Sequence, residues 1–492
     1  MTVRKTGAPA RKRVGRAGPD RRGRGSLAER RACTGQPLLE HDRSFYRTFL
    51  KLAGALILEQ AAVLSVNLAD NIMIGGYSEA ALSGVAAVNQ IQFVVQQTLG
   101  GIANGVIVLA SQYWGGGRTE PIKRLTGIGM RAALFFAAVM FAVVSLFPAQ
   151  CVGLFVDDPA TIREGAQYLN IIRFTYPVFA VTTILLGTMR SVETVSLVLK
   201  VSLVSLVVNC TINYLLIAGN LGAPELGVRG AAIGTLTARV LECAITLVYV
   251  LKKDRKLRLR PRDFRSTDRP LLGDYLHTSL PIILQAALWG VLNAVQSAIL
   301  GHMAVSAITA YSISSTIFLL LKVTAVGSCT AASIMVGKQI GSGRTERLRP
   351  MVNTMQLLFL ANGAALGLIL FLIRVPLLRL YQISDETRAL ANSFMLIQSV
   401  VLFTMSYQMP TNAGILRGGG DTRYALILDL ISFCGIVIPL SYLAAFVWRL
   451  PPVIVVMLLN SDQAFKCVPA AIRVNRFRWA KKLTRDSDAE PL

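Results

Sequence analysis

Histidine and acidic residues are scarce in this chain, and their scarcity excludes most kinds of catalysis. Only His41, His277 and His302 occur in 492 residues, with no HExxH and no paired-acid motif. A hydrolytic metal centre or an acid–base enzyme therefore has no residues to build on, and the chain is not expected to be an enzyme or to hold a cofactor. The seven cysteines, Cys33, Cys151, Cys210, Cys243, Cys329, Cys434 and Cys467, lie far apart without a CxxC pair, which argues against a disulfide framework or a zinc site. Charge is thin as well. Only 16% of the residues are charged against 53% hydrophobic, too little to solvate a soluble protein of this length.

What is abundant is apolar sequence in runs of roughly 20 residues, each enough to cross about 30 Å of hydrocarbon. Clear examples are Ala132–Leu146, Val195–Ala218, Ile299–Val336 and Leu357–Ile373. The net charge of +24 invites a nucleic-acid reading, but its placement argues otherwise. Fourteen Lys/Arg lie in Met1–Lys51, nine in Lys252–Arg269 and six in Arg473–Arg485, all flanks and loops between apolar runs. Basic residues in such places mark the cytoplasmic side of a membrane protein, so the bilayer and not nucleic acid is the expected partner. The Arg-, Gly- and Pro-rich first forty residues contain no apolar h-region, so no cleavable signal peptide is read. That composition reads as a disordered arm, solvated or touching anionic lipid.

A repeat organises the rest. GGGRTE at Gly115–Glu120 returns as GSGRTE at Gly341–Glu346, 226 residues later. The same offset overlays Ile72–Ala87 on Ala298–Ile313 and Leu154–Arg163 on Leu380–Ala389; with one inserted residue, GTMR at Gly187–Arg190 meets GILR at Gly414–Arg417. Spans are predicted at 47–71, 82–111, 127–149, 166–188, 194–218 and 230–251, then at 275–299, 307–337, 352–373, 389–413, 424–448 and 453–474. The expected fold is thus an all-α polytopic membrane protein with twelve transmembrane helices. They form two tandem six-helix lobes related by a pseudo-twofold axis along the membrane normal. The organisation reads as a basic cytoplasmic tail at 1–45, a first lobe at 46–251, a cytoplasmic linker at 252–274, a second lobe at 275–475 and a tail at 476–492. With both termini cytoplasmic, the inner segments collect 39 Lys/Arg and the outer loops six, a bias that fixes the orientation in the cell membrane.

Ionisable residues inside spans cost about 2.5–3.5 kcal/mol each on insertion scales, so each asks for a reason. Arg239 and Glu242 are three apart, and Asp462 and Lys466 four apart, spacings that suit local ion pairs. Asp70 has Asn67 one turn before it and no base within four residues. It is either a cavity carboxylate able to take a proton or a sodium ion, or a hydrated group near the end of its span. Asn209 and Asn213 share a face of the fifth span and supply amide groups, for a cation or for helix–helix hydrogen bonds. At the common offset Asp70 faces Gln296, Glu59 faces Gln285 and Gln96 faces Lys322, so the halves share a scaffold and differ in charge. Candidate residues of a substrate cavity are Glu59, Gln285, Trp289, Lys322, Tyr407 and Asp429; Trp289, Tyr311 and Tyr407 are aromatic surfaces on which a cation can stack, or simply packing.

LADNIMIGG (Leu68–Gly76), QYWGGGRTE (Gln112–Glu120), NYLLIAGNLGAPELGVRGAAIGT (Asn213–Thr235) and ILRGGGDT (Ile415–Thr422) resemble the multidrug and toxic compound extrusion family over roughly Phe49–Arg485. The resemblance implies a secondary-active exporter working by alternating access. A proton or sodium ion would be exchanged for an organic, often cationic, small molecule. It assigns cation coupling to Asp70, Asn209, Asn213 and Thr235, with sodium at Asp70 as one option. Three departures stand out. Ala55 replaces the first-span proline, whose repeat mate Pro281 is present; Trp289 stands where some sodium-coupled members carry glutamate; and the tenth span has no acid. A monomer is expected. A lipid-linked precursor flippase of related two-lobe architecture is the alternative, which would need several cavity cations for pyrophosphate.

Overall fold

The computed structural model describes residues 39–265, 268–301, 305–381 and 383–485. The basic arm expected at the amino terminus falls almost wholly outside these residues.

Among the described residues the apolar runs form twelve long helical rods. The first six are α1 (Arg43–Gly75), α2 (Glu79–Gly115), α3 (Thr119–Leu146), α4 (Pro159–Ile172 and Thr175–Ser191), α5 (Val195–Leu216) and α6 (Val228–Lys253). The second six are α7 (Arg269–Gly301), α8 (Val305–Gly341), α9 (Thr345–Leu378), α10 (Asp385–Leu416), α11 (Thr422–Val447) and α12 (Pro452–Asn475). Among the described residues ten of these are long and apolar enough to cross a membrane, or eleven with the bent α4. The remaining rod, α7, carries no charged residue between Pro281 and Leu300. Helix α7 begins at Arg269, inside the stretch read as linker, and residues 476–485 of the expected tail are packed and hydrogen-bonded.

Local sequence explains the starts and breaks. Asp42 caps α1 by accepting from the Ser44 amide at 2.9 Å, and Asp158 caps α4 by accepting from the Thr161 amide at 2.8 Å with Pro159 at the first helical position. Helix α4 bends by 52° before Pro177, which has no amide proton to offer the Arg173 carbonyl; the Tyr176 amide donates to that carbonyl instead, at 3.1 Å. In α12 the helix breaks at Asn460, where the Asn460 side-chain Nδ2 donates to Val456 O at 2.8 Å and the Ser461 hydroxyl to Leu458 O at 2.7 Å. Inside a membrane such freed carbonyls must find a partner within the protein. Helix α1 runs unbroken past Ala55, and α7 runs unbroken through Pro281.

The repeat is visible as reciprocal contacts. A Cβ on Gly115 would lie 2.0 Å from the Lys338 carbonyl oxygen, and one on Gly341 would lie 1.8 Å from that of Gln112. Residues 112 and 338, like 115 and 341, are mates at the 226-residue offset, so α2 and α8 cross on the pseudo-twofold axis with bare backbone in contact. Farther along, Gly101 presses on Ile283 and Gly327 on Ile57, again reciprocal mates. Only small residues allow helices to approach so closely, and close packing is what holds helices together in lipid.

The core follows from this crossing. One cluster fills the first lobe around Leu99, Val106, Leu125 and Tyr176, and another the second lobe around Leu370, Phe394 and Leu402. A third joins Phe45, Phe49 and Leu52 at the start of α1 to Met351 and Phe359 of α9, so α1 bridges the lobes. Large apolar side chains such as Phe135, Val207, Leu372 and Val468 point outward, as a lipid-facing surface requires. The end of the molecule near the glycine crossing carries a strap. Residues 476–485 bury Trp479, hydrogen-bond both ends of the Gln112 amide, and pair Arg485 with Asp274 at 2.6 Å.

Candidate functional site

Two cavities hold nearly all the polar residues singled out above. The smaller, about 60 Å³, lies inside the first lobe. Helix α1 brings Asp70 and Asn67 to it, α5 brings Asn209, and α6 brings Thr235, Arg239 and Glu242. Asp70 is buried although it lies close to the end of α1. Its carboxylate accepts a hydrogen bond from the Asn213 amide at 2.5 Å; that amide also donates to Asn209 at 3.4 Å, and Asn209 donates to Thr235 at 3.3 Å. The four residues assigned to coupling are therefore one connected group. Asn213 is pressed into place by α6, because a Cβ on Gly234 would stand 2.0 Å from its side-chain oxygen.

The neighbouring charges are settled locally. Arg239 pairs with Glu242 at 2.9 Å, the pairing their spacing suggests, and its guanidinium also lies 4.7 Å from the centre of the Phe179 ring. Among the described residues no basic group lies within ion-pair distance of Asp70. One carboxylate beside amide and hydroxyl groups suits a proton or a hard monovalent ion, not a transition metal. Among the described residues no three His, Cys, Asp or Glu side chains converge as a metal cluster.

The larger cavity, about 430 Å³, lies between the lobes. Of the six candidate substrate residues it is lined by Gln285, Trp289, Lys322 and Asp429. The other two lie elsewhere. Glu59 forms a buried ion pair with Arg190 of α4 and reaches neither cavity. Its neighbour Gln60 lines the space instead, since successive helical residues point about 100° apart. Tyr407 turns into the α9–α10 interface, where its hydroxyl donates to Gln356 at 2.8 Å. Tyr311 likewise packs edge-on against Phe394 in the core.

A polar chain runs along the second-lobe wall of this cavity. Arg417 donates to Gln285 at 2.5 Å and Gln285 donates to Asp429 at 2.5 Å. Lys466 stands 3.0 Å from Asp429 and 2.9 Å from Asp462. The local pair Asp462–Lys466 is thus present and has a third member on α11. Lys322 has no carboxylate partner among the described residues; its ammonium sits 4.1 Å from the centre of the Trp289 ring, itself tilted against Phe93.

Arg417 is the residue that sequence reasoning missed. Counted with an inner loop, it lines the cavity because α10 continues through a widened, π-type turn at Pro410–Leu416 and carries it inward. The signal was in the repeat: the GTMR/GILR match sets Arg417 opposite Arg190, whose partner Glu59 is the mate of Gln285.

Two six-helix lobes around a shared cavity, with a buried carboxylate in one of them, define a polytopic membrane transporter. Residues 55–215 and 281–443 each match the MatE family profile, and the chain belongs to that family of multidrug and toxic compound extrusion transporters, which are not enzymes. It is 26% identical over 432 residues to a protein of Rhizobium meliloti named probable multidrug resistance protein NorM, covering 84% of this chain and 89% of that one. It is 24% identical over 412 residues to multidrug resistance protein MdtK of Edwardsiella ictaluri, covering 82% of this chain and 89% of that one. In fold it is similar to the Vibrio cholerae MATE transporter VcmN, with a TM-score of 0.80 at 17% identity over 89% of this chain and 98% of the other.

Proposed function

We propose that this transporter exports small organic compounds in exchange for a proton or a sodium ion, with Asp70 as the coupling group. The observation that carries the reading is a buried carboxylate with no ion-pair partner among the described residues, held by Asn213 and backed by Asn209 and Thr235. Uptake of a proton or sodium ion there removes a buried charge and so favours whichever conformation shields the site. The names of the multidrug resistance relatives support export of several compounds. On this reading the lobes are 46–251 and 275–475, joined by the 252–274 linker. The chain sits as a monomer in the cell membrane with both tails cytoplasmic. The α2–α8 crossing then closes the cytoplasmic end, and export needs it to open in turn.

Asp70 and the central cavity share α1 as a wall: Asn67, one turn from Asp70, lines both spaces. Ion binding at Asp70 can therefore act on the cavity through the position of α1, and the coupling free energy is reciprocal between ion and substrate. Uptake of a fluorescent substrate into inverted vesicles, driven separately by a proton and by a sodium gradient, tests this. Asp70→Asn is expected to abolish the gradient-driven component; full retention under both gradients would contradict it.

A further inference from the structure

We propose that the inter-lobe cavity recognises an acidic group on its cargo through Lys322 and Arg417, so that organic anions and zwitterions are favoured over purely cationic compounds. The proposal deepens the export reading, since it takes that cavity as the substrate site, and it departs from the cationic substrates that the family resemblance implies.

The argument starts from the repeat. In the first lobe Arg190 donates to the carboxylate of Glu59. In the second, at the mated positions, Arg417 donates to the amide oxygen of Gln285. The geometry is kept and the negative charge is lost. The second substitution between mates works in the same direction, because neutral Gln96 beside the small cavity becomes Lys322 in the large one. Both changes add positive charge to the same space.

Among the described residues no carboxylate is left over to cancel it. Lys466 engages both nearby carboxylates, Asp429 and Asp462, in direct ion pairs. That leaves Lys322, among the described residues, against the Trp289 face, and Arg417 with Gln285 as its hydrogen-bond partner and a buried Nε that no described acceptor reaches. Three cations therefore face two carboxylates around this wall. A cation kept inside a membrane without a counter-ion is costly, and where it occurs it marks a substrate or ion path. A carboxylate or phosphate on the cargo would supply the missing counter-ion, and the arginine fork suits a planar anion. Trp289 and Phe93 offer the adjoining apolar surface, so an aromatic or amphiphilic acid fits better than an inorganic one.

Rhodamine 110, which carries a free carboxylate, and its methyl ester rhodamine 123 make a matched pair of probes. Their binding to the purified full-length transporter can be followed by fluorescence anisotropy without any ion gradient. The expected result is a preference of about tenfold for the acid over the ester, the size of one charge-assisted hydrogen bond. Lys322→Gln should remove that preference and Lys322→Arg should restore it; ester binding in each variant reports that the protein is folded. Equal or tighter binding of the ester by the wild type, or an unchanged preference in Lys322→Gln, would overturn the proposal. Asp70→Asn, measured alongside, separates the two readings. Lost gradient-driven uptake with the acid preference intact supports both, and retained uptake with that preference intact removes only the coupling role.

Discussion

The two lobes are built alike and charged in opposite senses. Around the first-lobe cavity and its neighbouring pair stand Glu59, Asp70 and Glu242 against Arg190 and Arg239. Around the second-lobe wall stand Lys322, Arg417 and Lys466 against Asp429 and Asp462. One set has a spare negative charge and the other a spare positive one. On the two proposals above, a duplicated scaffold is thereby divided, one lobe to take a cation and the other to meet an anion. The backbone contacts at the axis, where side-chain charge plays no part, have stayed symmetrical.

The largest expected effect of breaking this division comes at Lys466. Lys466→Met leaves Asp429 and Asp462 buried without their cation, and removing one partner of a buried ion pair costs about 3–5 kcal/mol. Thermal unfolding in detergent should show the loss, and Asp462→Asn in the same background should recover part of it. Next comes the axis itself. Gly115→Val, or Gly341→Val at the mated position, places side-chain atoms where the partner backbone lies. Either should hold the crossing open and cut transport at least tenfold while the protein remains in the membrane; cysteine accessibility at Ser111, against Gly337, would rise if closure is blocked. Matching losses from the two glycines would support a symmetrical gate, and a loss from only one would break the symmetry.

A smaller effect, and a sharper one, is expected from making the lobes alike. Gln285→Glu gives Arg417 the carboxylate that Arg190 has, and should reduce the acid-over-ester preference of the cavity several-fold. Glu59→Gln makes the reverse exchange in the first lobe and should cost about 1–3 kcal/mol of stability, the range for a buried group deprived of its charged partner, without changing that preference. The mildest is Gly234→Ala, which displaces Asn213 from Asp70 and should shift the ion concentration for half-maximal transport more than the maximal rate.

Architecture was legible in the sequence because a repeat constrains every position at once. The 226-residue offset anticipated two like halves of six helices, and apolar length placed the ends of the helices to within about eight residues. The Asp70 group was legible too, since Asn209 and Asn213 fall on one helix face. Glu59 and Tyr407 were misplaced for one shared reason: a span's apolar pattern says which residues are in the membrane but not how the helix is rotated about its axis. That rotation is set by tertiary packing. Arg417 was hidden because the widened turn at Pro410–Leu416 leaves no periodic signature and extends α10 beyond its apolar run. The link from Lys466 to Asp429 joins two helices that no spacing relates.

The direct test of the central claim, that the first lobe couples and the second-lobe wall selects, is gradient-driven dye uptake by Asp70→Asn in inverted vesicles, read together with dye binding by the same purified variant. Uptake abolished under both proton and sodium gradients, with the acid-over-ester preference unchanged, is the predicted result. Full uptake under both gradients, or a preference lost together with the carboxylate, would contradict it.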